Sequence, residues 1–158
     1  MVQVLFVCLG NICRSPMAEA VMRDLVEKKG LESRIKVDSA ATSSWHIGEP
    51  PHKGTLAKLK EVGIATTGMK GRQLAREDFE EFDYIVGMDS SNVQNIRQML
   101  GQPDHPKIFR FLDLTDHRKD VPDPYYTGDF QETYDLVMEG CAALLDKILG
   151  DLEEVSFR

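Results

Sequence analysis

The sequence predicts an α/β fold built on one parallel sheet with helices on both faces. Three observations lead there. Apolar, β-rich runs alternate with segments of helical periodicity along the whole chain. The first run, residues 2–7 (VQVLFV), is apolar nearly throughout, as a strand buried on both faces is. Gly30, Gly63 and Gly101 each close a helical segment. In sheets of this kind ligands bind beyond the carboxyl ends of the strands. The loop after the first strand and the long loop after the last are therefore expected to meet at one edge.

After the first strand, Ser15 is expected to cap a helix with Pro16 at its first position. Met17, Ala18, Val21, Met22, Leu25 and Val26 form its apolar stripe. Residues 35–39 (IKVDS) read as the second strand. Residues 52–62 read as a helix carrying Leu56, Leu59 and Val62. A third strand is expected at 84–88 (YIVGM). Asp89 or Ser90 then caps a helix with Val93, Ile96 and Leu100 turned inward. Residues 107–112 (KIFRFL) read as the last strand, and Asp113 to Gly128 as a long, Pro-punctuated loop of the kind that often carries function. The last helix presents Phe130, Tyr134, Val137, Cys141, Leu144 and Ile148 as one core-facing stripe. The acidic clusters at 77–81 and 151–154 read as solvated faces.

The 158 residues suit a single domain, 1–158, with one core, and the apolar share of 42% is ordinary for a globular chain. A formal net charge of -7 argues against a nucleic-acid partner, which demands a basic face. No apolar run approaches the roughly 18 residues of a membrane helix, and the N-terminus has no signal-peptide pattern. Three cysteines form no secreted disulfide framework, so a cytoplasmic location with free thiols is expected. Four histidines without ligand spacing make a metal unexpected.

The chemistry concentrates in Cys8-Leu9-Gly10-Asn11-Ile12-Cys13-Arg14-Ser15, where Cys8 and Arg14 are separated by five residues between a strand and a helix start. Such a loop can curl so that successive N–H groups point inward and form an anion nest, to which the helix adds its positive end. Gly10 and Asn11 are residue types that accept unusual dihedrals. Arg14 offers a planar fork for two phosphate oxygens. The same positive surroundings favour the thiolate of Cys8, the form that attacks, and a hydroxyl at Ser15 can donate to it. In-line attack on phosphorus is the predicted reaction.

The leaving group then needs an acid. Asp123, held extended between Pro122 and Pro124, is the leading candidate, with Asp120 the fallback. Tyr125 and Tyr126 are expected to wall the pocket, as is Trp45, the one tryptophan, in a polar loop of small residues. Cys141 lies on the core stripe and reads as structural.

In order and spacing, VCLGNICRSPMAEA at 7–20, DSAATSSWHIG at 38–48, FDYIVGMD at 82–89 and DPYY at 123–126 resemble the low-molecular-weight protein tyrosine phosphatases of bacterial type. The resemblance spans essentially the whole chain. It implies a four-stranded parallel sheet with the phosphate-binding loop after the first strand. It also implies hydrolysis of phosphotyrosine through a phosphocysteine intermediate, with no metal or cofactor. By that resemblance Cys8 is the nucleophile, Arg14 the phosphate clamp and Asp123 the acid. Leu9, Gly10, Asn11, Ile12, Cys13 and Ser15 would surround the substrate, with Trp45, Tyr125 and Tyr126 along the cleft. Asn11, Ser15 and Ser39 would brace the loop. Cys13 matches a position that can form a protective disulfide with the nucleophile, making the enzyme redox-sensitive. One position departs from the pattern: Met69 stands where several members carry a His that supports the loop. Expected partners are phosphotyrosine-containing proteins, with no membrane and no nucleic acid, and a monomer or weak dimer.

Three rivals remain at this level. A thiol-coupled arsenate reductase uses the same scaffold but needs further cysteines, and none lies between Cys13 and Cys141. A protein-arginine phosphatase typically carries a Thr where Ile12 stands. A catalytically silent phosphate-binding module would not need Cys8, Arg14 and Asp123 together.

Overall fold

The computed structural model describes residues 1–156, with side chains through Glu154; the single-domain span 1–158 thus ends two residues beyond the described ones. Four strands, β1 (Val2–Cys8), β2 (Ile35–Ala41), β3 (Tyr84–Gly87) and β4 (Ile108–Arg110), form a sheet in the order β2-β1-β3-β4. All three pairings are parallel. Six helices accompany them among the described residues: α1 (Arg14–Lys28), α2 (Lys53–Glu61), α3 (Asp78–Glu81), α4 (Ser90–Leu100), α5 (Pro124–Thr127) and α6 (Phe130–Ser156).

The period-two alternation of a strand divides β1 between two cores. Val4 and Phe6 face Met17, Met22, Leu59 and Leu144 from α1, α2 and α6. Leu5 and Val7 face Ile85, Ile96, Leu100 and Ile108 on the side of α4. Val4 to Val7 are completely buried, so burial on both faces explains the unbroken apolar run. The expected stop at Gly30 takes a Schellman form: Gly30 is left-handed (φ 70), and Leu31 and Gly30 donate to the carbonyls of Val26 and Glu27. Asp89 caps α4 through a reciprocal pair with Asn92, and Gly101 (φ 65) ends it.

Several boundaries differ from the expectations. α1 begins at Arg14 with Cys13 at its N-cap and no side-chain cap, because the Ser15 hydroxyl is engaged elsewhere. β2 continues to Ala41, which pairs with Cys8 and bridges to Gln73. β4 ends at Arg110, and Phe111–Leu114 turn as a 3-10 helix. That turn drives the Phe111 ring into the core, edge-on to Phe6 at 5.6 Å and 82°. The acidic stretch 77–81 is not wholly solvated: Asp78 is buried and takes both ends of the Arg72 guanidinium at 3.1 and 3.2 Å. The expected 113–128 loop is interrupted by α5, which starts at Pro124.

The loop after β1 and the segment 115–123 meet beyond the carboxyl ends of β1 and β3. Val121 N–H donates to the Met88 carbonyl at 2.9 Å, and Asp120 accepts from the Ser90 amide at 2.8 Å. No helix among the described residues is long and apolar enough to cross a membrane.

Candidate active site

The β1–α1 loop curls as its sequence requires. Asn11 adopts a left-handed conformation (φ 57), which Asn accepts better than other non-Gly residues. Its amide donates to the Cys8 sulfur at 3.3 Å. The Cys8 sulfur also lies 3.0 Å from the Ser15 hydroxyl. Gly10 has no positive φ; a Cβ there would come within 3.1 Å of His46 Cδ2, so the His46 ring packs close over the glycine backbone.

Arg14 is only 3% exposed although it carries a charge. Its Nη1 donates to Asp89 Oδ2 at 2.7 Å and to the Val121 carbonyl at 3.0 Å, while Nη2 lies 3.5 Å from Asp123 Oδ2. Burial pulls the guanidinium toward the neutral form. Cys8, Asp89 and Asp123 outweigh that pull, so its pKa lies above the ordinary value and the charge is secure. Asp123 has the extended backbone that Pro124 imposes, and caps α5 by accepting from the Tyr125 amide at 3.0 Å.

These groups border a cleft of about 140 Å3. Cys8, Leu9, Gly10, Ile12, Cys13 and Arg14 line it from the loop, and Asp123, Tyr125, Tyr126, Trp45 and His46 from the other elements. Trp45, Tyr125 and Tyr126 stand 68%, 56% and 75% exposed, as a wall with its inner face on the cleft. The side chains of Asn11 and Ser15 lie behind the lining, tied into hydrogen bonds there, while the Asn11 amide and the Ser15 hydroxyl face the Cys8 sulfur. Asn11 Nδ2 donates to Ser15 Oγ at 2.8 Å and to Ser39 Oγ at 2.9 Å, and Asn11 Oδ1 accepts from the Arg72 amide at 3.1 Å. Met69 packs against the core with an apolar side chain, and it is the buried Glu19 that contacts Ser39, at 2.5 Å.

Cys13 lines the same cleft. Burial, then the proximity of Asp123 and Cys8, push its thiol up to about 12 despite the opposing pull of Arg14 and Thr55. Cys141 is buried against α1, its sulfur 3.7 Å from the Ala18 carbonyl, as a core residue would be. Asp120 is absent from the lining. Burial acts to raise its carboxyl, but the hydrogen bonds it accepts from Ser90 and Arg110 at the surface together hold it below the ordinary range. Asp123, not Asp120, is the carboxyl on the cleft. No group of three or more His, Cys, Asp or Glu side chains suited to a metal exists among the described residues.

Four contributors escaped the sequence reading. Asp89 holds Arg14, Glu19 holds Ser39, Arg72 holds Asn11, and His46 closes over Gly10 while its Nδ1 pairs with Glu49 at 2.5 Å. His46 alone carried a local signal, its place beside Trp45 in a loop already expected at the cleft. The other three act across 20, 61 and 75 residues of sequence.

The same arrangement of loop and sheet has known counterparts. The profile of the family described as "Low molecular weight phosphotyrosine protein phosphatase" matches residues 3–154. The chain is 53% identical over 150 residues to the low molecular weight protein-tyrosine-phosphatase YfkJ of Bacillus subtilis (strain 168), covering 94% of this chain and 96% of the relative. It is 46% identical over 153 residues to the low molecular weight protein-tyrosine-phosphatase PtpA of Staphylococcus aureus (strain MRSA252), covering 96% of each. The crystal structure of YfkJ from Bacillus subtilis superposes with a TM-score of 0.93 at 52% identity, covering 96% of both chains. On sequence and fold alike, this chain belongs to the low-molecular-weight phosphotyrosine protein phosphatase family.

Proposed function

We propose that this chain, acting as one domain, hydrolyses phosphotyrosine in proteins through a phosphocysteine on Cys8. One observation carries the reading: the Cys8 sulfur sits on a cleft floor, faced by the Asn11 amide and the Ser15 hydroxyl, with the Arg14–Asp123 pair on the same cleft. The Cys8 thiolate attacks phosphorus as the P–O bond to the aryl group breaks. The inward amides and Arg14 hold the charge on the equatorial oxygens without reorganising. Asp123 gives its proton to the departing phenolate oxygen. In the second step Asp123 takes a proton from water, water attacks phosphorus, and the S–P electron pair returns to Cys8, where the Ser15 hydroxyl stabilises it.

The substrate's ring passes between Trp45 and the Tyr125–Tyr126 pair, and Ile12 gives the cleft an apolar side suited to an aryl group. Cys13, on the same cleft, is the candidate partner for a reversible disulfide with Cys8. An arsenate-reductase relay finds no third accessible thiol, because Cys141 is buried. The protein is expected to turn over p-nitrophenyl phosphate in EDTA, and to prefer phosphotyrosine over phosphoserine and phosphoarginine peptides. Loss of activity on chelation, or equal turnover of the three peptides, contradicts the assignment.

A further inference from the structure

Behind the loop a continuous chain of hydrogen bonds joins α1 to Cys8, with the donations diverging from Asn11 toward Glu19 on one side and toward Ser15 on the other. Ser39 Oγ donates to Glu19 Oε1 at 2.5 Å, and Arg23 Nη2 donates to Glu19 Oε2. Asn11 Nδ2 donates both to Ser39 Oγ at 2.9 Å and to Ser15 Oγ at 2.8 Å. Ser15 Oγ faces the Cys8 sulfur at 3.0 Å. We propose that Glu19 is a positioning residue for the phosphatase reaction: its carboxylate fixes the polarity of the chain Glu19–Ser39–Asn11–Ser15, so that the last hydroxyl turns its proton toward Cys8. The proposal rests on the reading of Cys8 as nucleophile.

A hydroxyl has one proton, and nothing in its own geometry says where that proton points. An ionised carboxyl only accepts, so Ser39 must give its proton to Glu19. Ser39 is then left with lone pairs toward Asn11, which must answer with Nδ2. The Arg72 amide, 3.1 Å from Asn11 Oδ1, fixes the same orientation from the other end. The second hydrogen of Nδ2 occupies a lone pair of Ser15, whose own proton is free only for the sulfur. A hydroxyl donating to a thiolate stabilises it both before attack and on departure.

A merely structural role accounts poorly for this carboxyl. Glu19 is 6% exposed, and its cationic partner Arg23 is 43% exposed. So exposed a cation compensates the buried carboxylate only in part, and a buried charge is costly unless it is paired and hydrogen-bonded. Of the other side chains around its cleft, Arg23 and Lys70 only donate, Met69 is apolar, Thr67 is a neutral hydroxyl and Asp38 is taken by Arg72 at 3.1 Å, so Glu19 is the carboxylate that reaches Ser39. Burial, with a further contribution from Asp38, raises the proton affinity of Glu19, while the Ser39 hydrogen bond and the Arg23 charge pull it back toward the ionised form that accepts from Ser39.

The test compares Glu19→Met, Glu19→Gln, Ser39→Ala and the Glu19→Met/Ser39→Ala double variant. Two readouts are taken, kcat and KM for p-nitrophenyl phosphate, and the rate of Cys8 alkylation by iodoacetamide at pH 6. Loss of one charge-assisted bond predicts that Glu19→Met loses about tenfold in kcat, with KM within about twofold, and that alkylation slows about tenfold. Glu19→Gln keeps an oxygen for Ser39 and loses less than about threefold. In the Ser39→Ala background, Glu19→Met costs less than about twofold more, because the route is already cut. Multiplying losses, a Gln variant as impaired as Met, or unchanged alkylation in Glu19→Met overturns the proposal. Should Glu19→Met not fold, Ser39→Ala cuts the same link and must show the same tenfold losses; wild-type rates in it overturn the proposal too. An inactive wild-type protein would instead sink the phosphatase reading, and the alkylation rates separate the two failures.

Discussion

Asp89 has two duties that one substitution can separate. Its Oδ1 caps α4 by accepting from the Asn92 amide at 2.6 Å, and its Oδ2 holds Arg14 at 2.7 Å. Asn is as good an N-cap as Asp, so Asp89→Asn keeps the first duty and removes the charge from the second. When the amide oxygen caps, the amide nitrogen faces Arg14 Nη1, donor against donor. Hydrogen bonds to charged groups contribute about 1.5–3 kcal/mol. Arg14 keeps the Val121 carbonyl at 3.0 Å, so the side chain stays in place but its fork is no longer aimed from two sides. The kcat/KM for p-nitrophenyl phosphate is therefore expected to fall about 10- to 150-fold, with a matching weakening of inhibition by inorganic phosphate. Asp89→Ala removes the cap as well. It is expected to show a similar kinetic loss with about 1 kcal/mol less stability in urea than Asp89→Asn. Wild-type kcat/KM in Asp89→Asn would refute the claim that this carboxylate aims the clamp. Equal stability of the two variants would refute the separation of duties.

Three further outcomes are expected. Asp123→Asn slows cleavage of aryl phosphates with basic leaving groups by roughly 10²–10⁴ and of those with acidic leaving groups far less; a loss independent of the leaving group removes Asp123 as acid. Gly140→Ala brings a Cβ to 2.3 Å from Phe111 Cζ at the α6 contact. Overpacking of about 1–3 kcal/mol, offset by about 1 kcal/mol of helix propensity, leaves a net loss of about 0–2 kcal/mol and lowers the melting temperature by up to roughly 8 °C, and a rise contradicts it. The Cys13 thiol holds its proton up to about 12 in the folded chain, whereas an unfolded thiol ionises near 8.5. Its contribution to stability is complete below the unfolded value and drains away as pH rises from about 9 toward 12. Cys141, raised in the same direction by burial, adds to that fall. Urea midpoints at pH 8 and 10.5 are expected to differ less in Cys13→Ala than in the wild type, and identical differences count against the assignment.

Features written in local sequence were legible. The Cys8–Ser15 loop, the extended Asp123 before Pro124 and the Gly101 stop each depend on neighbours within a few residues, and the structure has them where the spacing put them. Features set by distant partners were not. KIFRFL is uniformly suited to a strand, yet Phe111 leaves β4 because the core between Phe6 and Gly140 accepts its ring. Asp78 looks solvated among acidic neighbours, but Arg72 draws it inward. Ser15 suits an N-cap by composition, but the Cys8 sulfur and Asn11 claim its hydroxyl. Cys8 and Arg14 lie on one short loop, whereas the groups that hold the loop come from Glu19, Arg72 and Asp89, whose contacts exist only once the chain is folded.

Asn11 ties together the β1–α1 loop, the first turn of α1, the middle of β2 and the backbone at Arg72. No early or partial assembly of the chain can satisfy that side chain, and its left-handed backbone is awkward without the ties. Turnover should thus emerge late in refolding, after most secondary structure, and vanish early when β2 frays from β1. Measured during denaturation, catalysis would report the docking of β2 and of the segment around Arg72, a more demanding criterion of nativeness than helix content alone.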